Sequence, residues 1–456
     1  MIKYILGLVL FAACWLPAQD VLTRYVQQAL DNNLALQQED FSYRQSVAAL
    51  KQARGMFLPS VDLEARYSRA EGGRVIEFPI GDLLNPIYQT LNVLTGIPAF
   101  PTNLPNESFN FFREREHDTK IRVVQPVFQP KIYHNYNIKK HLTTLQAASR
   151  SAYARQLVAD VKTAYYNYLT ALQVVELSTR TEELLQENLR ISESLVDNDK
   201  ATIDAVYRAR TERSRLQQRQ AEAHKLYELS RAYFNFLLNR PLDTPVDVED
   251  VDMSERRSFP SLDDAEQRAL QQREELQQLH AAIQAQRHGV KLNRASFLPG
   301  LSVVFDYGYQ GEDYIFNEDY DYWMASAVLS WNLFNGGQDK AKIQHAKLEQ
   351  ARLETQRLQL QKQIQLDVRR AYEELRVVNE SIDAAQHELI SAKKNFEIVS
   401  KKWQQGLVPQ IEYLDARHTL TEAELNTIMV QYDYFIKQAQ LEKAAATYDL
   451  PQLERE

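Results

Sequence analysis

The sequence predicts an α+β membrane protein built from two tandem units, each a helix, two strands and a long helical hairpin. Three observations carry this. Phe57-Leu58-Pro59 returns 240 residues later as Phe297-Leu298-Pro299, and at the same offset Leu22, Ala29, Leu30, Leu36 and Tyr67 stand opposite Leu262, Ala269, Leu270, Leu276 and Tyr307. Each Phe-Leu-Pro is followed by strict alternation of apolar and polar residues. Residues 131–240 and 338–405 contain neither glycine nor proline, a length that implies a coiled coil or helical array.

Bulk properties narrow the classes. A net charge of −8 with 25% charged residues leaves no basic footprint, so nucleic acid is not an expected partner. After the N-terminus no apolar run approaches the ~20 residues of a membrane helix. A β-barrel is then the spanning structure still open. Residues 1–18 read as a secretory signal peptide, with Lys3 before the apolar run from Tyr4 to Leu16. Two processing readings stand: cleavage after Ala18, which we favour, or a lipoprotein box ending at Cys14, which would make Cys14 a lipid anchor. Cys14 is the sole cysteine, so no intramolecular disulfide is expected.

The first unit spans residues 19–245. Apolar residues at helical spacing run to Arg54, and Pro59 pushes Leu58 toward extended geometry. A strand over about 58–70 then places Val61, Leu63, Ala65 and Tyr67 on one face, with Asp62, Glu64, Arg66 and Ser68 on the other. Residues 71–115 read as a long polar and aromatic loop, of the kind found on a barrel's outward rim. A second strand covers about 118–128, where Pro126 marks an edge or an end. The hairpin, 131–239, turns at Asp197-Asn198-Asp199-Lys200, and its first helix would be ~100 Å long. Tyr165, Tyr166 and Tyr168 read as inter-helix packing. Residues 246–260 form a linker.

The second unit, 261–456, repeats the plan. A helix opens at Ser261 with Asp264 in a capping-box-like start. Strands follow at about 298–310 and 320–334, then a hairpin over 338–450 whose turn is Gly406-Leu407-Val408-Pro409. Aromatics crowd the strand ends, among them Phe109, Phe111, Phe112, Tyr314, Phe316, Tyr320 and Trp323, as membrane girdles do.

Four strands per chain cannot close a barrel, and open edges in lipid leave backbone groups unsatisfied. Several chains must contribute: three would give twelve strands, two would give eight.

The order of these features carries a resemblance. A helix ending Phe-Leu-Pro-Ser, the strand ending Pro126-Val127-Phe128 and its counterpart Asn332-Leu333-Phe334, Ala164-Tyr165 and Ala371-Tyr372, and the tip from Gln405 to Ala416 together resemble the TolC-type outer-membrane efflux proteins. The resemblance covers essentially the whole mature chain. It implies a homotrimer with a 12-stranded outer-membrane β-barrel continuous with a periplasmic α-helical barrel. It also implies an exit duct for small molecules or polypeptides, served by a periplasmic adaptor (membrane fusion protein) and an inner-membrane pump, with outer-membrane lipid around it. No enzyme activity and no cofactor are implied.

Glu412 and Asp415, at i and i+3, share one helix face. As bare sequence they read as a solvated helix start, where the dipole favours acidic residues. The resemblance makes them stacked acidic rings at a pore constriction. Gly406 and Pro409 suit a helix end and a helix start. With Leu407 and Val408 they form the adaptor-contact tip that the resemblance implies. Val408 stands where the family often has Arg, and Asp199-Lys200 where it often has glycine. The histidines show no HExxH spacing, and no metal site is expected. The competing reading is a periplasmic coiled-coil scaffold or adaptor without channel activity; a barrel enzyme or specific porin is a third. An adaptor would need β-sandwich or lipoyl-like stretches beside its hairpin, and an enzyme a convergent polar constellation; the sequence displays neither.

Overall fold

The computed structural model describes residues 21–249 and 260–450. The signal segment with Cys14 and most of the linker lie outside the described residues. In chain order the elements are α1 (Val21–Asn32), α2 (Leu34–Gly55), β1 (Ser60–Arg69), β2 (Val75–Phe78), α3 (Ile80–Thr95), β3 (Glu107–Asn110), β4 (Arg115–Phe128), α4 (Pro130–Asp197) and α5 (Ile203–Leu237). Then come α6 (Leu262–Gln272), α7 (Glu274–Arg294), β5 (Gly300–Gly311), β6 (Asp321–Ser330), α8 (Gln338–Gln404) and α9 (Gln410–Ala444). The chain divides into a helical unit (residues up to 47, 141–285 and from 349) and a strand unit (48–140 and 286–348).

In the strand unit, β1, β4, β5 and β6 form one antiparallel sheet in that order. Its register aligns the alternation of all four strands. Leu63, Ile121, Tyr307 and Trp323 lie side by side, as do Val61, Val123, Phe305 and Ala325. This apolar face is bare in the single chain: Leu63 is 75% and Trp323 70% exposed. The next row, Asp62, Arg122, Asp306 and Met324, points the other way. There Arg122 donates to both carboxylate oxygens of Asp306 (2.8 and 2.9 Å) and to Glu64 (3.1 Å). Lys120 and the Tyr322 hydroxyl both donate to Asp118, at 2.7 and 2.8 Å. A side chain at Gly308 would meet the Lys120 Cβ at 2.5 Å, so this ladder needs glycine there.

Three differences from the sequence reading have physical reasons. Residues 71–115 are not a plain loop: β2 and β3 pair antiparallel, with the 16-residue α3 between them. Pro79 serves as the residue before the helix, and Pro86 is accommodated inside it. Asn85 and Leu104 exchange hydrogen bonds in both directions (3.0 and 2.8 Å), which ties the segment together. Pro126 falls beyond the last β1–β4 pair, where the β4–β5 register also shifts. Finally, β6 stops at Ser330; the Trp331 indole donates to the Phe297 carbonyl at 3.0 Å, and Asn332 donates to Asp339 at 2.6 Å.

Two near-equal hairpins, with most of their length in the helical unit, have 68 and 35 residues in α4 and α5 and 67 and 35 in α8 and α9. Each packs a short helix against its base. Tyr25, Val26 and Ala29 of α1 meet Val161, Tyr165 and Phe234, while Ala265 and Ala269 of α6 meet Val368, Leu375 and Tyr434. Tyr165 and Tyr168 are buried in the first of these cores. The helices expected to run on to Arg54 and onward from Ser261 are instead broken, at Asn33 and Arg273. The Asn33 carboxamide oxygen accepts from the Ala35 and Leu36 N–H groups (both 3.0 Å), an N-cap that starts α2. Its Nδ2 donates to the Leu237 carbonyl at the end of α5 (2.9 Å), as Arg273 does to Ala444 at the end of α9 (3.5 Å).

Candidate functional site: the hairpin tips

Both tips end by the same backbone device. Leu407 N–H reaches back to the Lys402 carbonyl and Gly406 N–H to Trp403, while Lys200 reaches Leu195 and Asp199 reaches Val196. These are Schellman closures, which need one left-handed residue. Gly406 supplies it at φ 71° and Asp199 at φ 54°. Leu407 is left 68% exposed at the second tip. Pro409, extended at ψ 157°, opens α9 with no side-chain cap.

From there α9 has two faces. Tyr413, Ala416, Leu420, Ala423 and Thr427 recur at alternating spacings of three and four and are buried. Tyr413 stacks on Trp403 at 4.4 Å and lies near Phe396 at 5.5 Å, fixing the tip, and burial pushes its hydroxyl pKa up. Glu412, Asp415, Thr419 and Glu422 form the opposite, exposed face. Among the described residues no ion pair engages Glu412 or Asp415.

A polar seam joins the second hairpin to the first. Gln410 Nε2 donates to Ser192 Oγ (2.9 Å), the Ala205 carbonyl (3.2 Å) and Asn188 Oδ1 (3.4 Å). Two turns further along, Arg417 donates to Thr181 Oγ1 at 2.8 Å. Thr181, Leu185, Asn188 and Ser192 are buried on α4 at coiled-coil spacing. Sequence reasoning missed this seam; the visible signal was polar residues at heptad positions of a helix otherwise closed by Leu and Ala.

Residues 265–447 match the outer membrane efflux protein family. The alkaline protease secretion protein AprF of Pseudomonas aeruginosa is 23% identical over 356 residues, 76% of this chain and 73% of that protein. Outer membrane protein TolC of Escherichia coli is 19% identical over 98% of this chain and 86% of its own. The chain is thus similar to the TolC-type outer-membrane efflux proteins. Solved structures share the fold: CusC at a TM-score of 0.77 and 17% identity, covering 93% of this chain and 91% of that one. The Campylobacter jejuni CmeC outer membrane channel aligns at 0.76 and 18%, covering 93% and 85%.

That similarity assigns the chain to the outer membrane, with a periplasmic helical domain, and the proteins it resembles are channels rather than enzymes. Its structure brings Glu412 and Asp415 onto one exposed face and leaves Leu407 exposed at the turn of the second hairpin. Among the described residues no helix is long and apolar enough to cross a membrane, and no group of three or more His, Cys, Asp or Glu converges on a metal position.

Proposed function

We propose that this protein is the outer-membrane exit duct of a tripartite efflux or type I secretion system. The duct takes small molecules or polypeptides from an inner-membrane pump and a periplasmic adaptor. The carrying observation is the sheet: four strands, apolar on one face, charged on the other, with β1 and β6 left as unpaired edges. An open edge in lipid leaves N–H and C=O groups without partners. Three chains joined β1 to β6 would close a 12-stranded barrel with the apolar row toward lipid and the Arg122–Asp306 row toward water. The long hairpins would line the periplasmic part of the same duct. Glu412 and Asp415 form the acidic constriction, and Gly406 to Pro409 the adaptor-contact turn. Relatives named for protease secretion and for solvent efflux support the two cargo classes equally.

The test is planar-bilayer conductance of the detergent-purified protein, together with its oligomeric mass. A trimer giving discrete, cation-preferring channels supports the duct. A monomer without conductance, with the tips also opened by substitution, overturns it. Glu412→Ala with Asp415→Ala should lower cation preference, since stacked carboxylates favour cations in a narrow passage. An unchanged reversal potential would remove the constriction assignment.

A further inference from the structure

The helical unit contains a cavity of about 110 Å³ among α4, α5 and α9. Leu177, Leu216 and Leu414 line it, together with Arg417, Arg215 and Arg219. An apolar cavity of roughly 150 Å³ holds benzene, so this space suits one small ring or a short alkyl chain.

Arg417 makes the cavity unusual. It is 4% exposed, yet its Nε has no acceptor among the described residues. Its one close side-chain acceptor is the neutral Thr181 hydroxyl. Glu424 stands 3.9 Å from Nη1, beyond hydrogen-bond reach, and the Phe396 ring lies 5.8 Å from the guanidinium carbon. A buried cation so placed is under-compensated. Burial accordingly pulls its pKa below the ordinary value, against the opposing pull of Glu424 and Tyr413. The remaining wall charge has the same sign. Glu212 is already held by Arg215 at 2.7 Å, and no ion pair engages Arg219 among the described residues.

We propose that this cavity binds a small amphipathic anion, with its carboxylate at Arg417 and its apolar body against Leu177, Leu216 and Leu414. Such a ligand completes the hydrogen bonding of the guanidinium and pins α9 to α4 and α5. Its occupancy does not depend on the duct reading, because every group involved lies within one chain.

Isothermal titration of the detergent-purified full chain with benzoate tests this, with benzyl alcohol as the neutral counterpart. Saturable binding at one benzoate per chain is expected, with benzyl alcohol at least tenfold weaker, since a hydrogen bond to a charged group is lost. Arg417→Met should weaken benzoate by at least tenfold. Leu216→Trp, which fills the cavity and leaves Arg417 in place, should abolish binding. Absence of saturable benzoate binding, equal affinity for benzyl alcohol, or binding that survives Leu216→Trp would each overturn the site. Should Arg417→Met fail to fold, the alcohol comparison and the Trp variant still decide.

Discussion

Asp199 holds the backbone at φ 54°, a conformation that Gly406 adopts at the other tip with no β-carbon to strain. A left-handed non-glycine residue costs roughly 1–2 kcal/mol. Glycine also enlarges the entropy of the unfolded chain, which offsets part of any gain. Asp199→Gly should therefore raise stability by about 0.5–1 kcal/mol. Thermal unfolding followed by far-ultraviolet circular dichroism checks it, and a lower midpoint would mean that the Asp199 side chain itself contributes to the turn. Asn33 is the opposite case, a side chain with all its tasks visible: two N–H groups capped and one carbonyl tied. Asn33→Ala should cost about 1–3 kcal/mol, from a lost cap and a buried carbonyl left without its donor. A change within 0.5 kcal/mol in the same melt would refute that role. The turn at Asp199 was legible as a polar cluster, but the break at Asn33 was not: asparagine and arginine both occur inside helices, and only the tertiary carbonyls of Leu237 and Ala444 make Asn33 and Arg273 breakpoints.

At the scale of elements, period was the legible quantity. Alternation over Val61 to Tyr67 and over Leu301 to Tyr309 located the strands, and the missing glycines and prolines located the hairpins. Contact between elements was not legible, because it depends on which helix faces which. The α2–α4 tie is an example. Arg150 donates to Asp40 at 2.6 Å across 110 residues of sequence and lies 4.7 Å over the Tyr43 ring. Burial pushes the Asp40 carboxyl up, but Arg150 and Arg44 together hold it below the ordinary value. A carboxylate with a lowered folded pKa adds stability above its unfolded pKa and loses it as pH falls through the folded one. Asp40→Asn should thus destabilise by about 1–2 kcal/mol at pH 7, a charge-assisted bond being replaced by a neutral one. The gap between variant and parent should close as pH drops below the ordinary aspartate range. Melts in matched buffers at pH 7 and pH 3 measure both; a gap that widens on acidification would contradict the sign.

For the whole molecule, the decisive asymmetry is between the two faces of the sheet. In a soluble sheet, a row such as Val61, Leu63, Ile121 and Trp323 would be covered by helices, yet Leu63 and Trp323 are among the most exposed apolar side chains of the chain. The polar row carries its own pairing, with Asp306 fully buried against Arg122. If the apolar row meets lipid, a cation there costs about 2–4 kcal/mol near the midplane and less toward the interfaces. A trimer places the same substitution on its surface three times, so the penalty on assembly is felt three times. Leu63→Arg should then sharply reduce the outer-membrane trimer seen after crosslinking and membrane fractionation. Asp62→Asn, one residue away on the opposite face, should leave the trimer yield near that of the parent and alter only the conducted current. If instead the charged row faced lipid and the apolar row a protein partner, the Arg variant would lose that partner while the barrel still assembled. Equal trimer yields from Leu63→Arg and Asp62→Asn would therefore remove the proposed orientation, and the opposite ranking would reverse it.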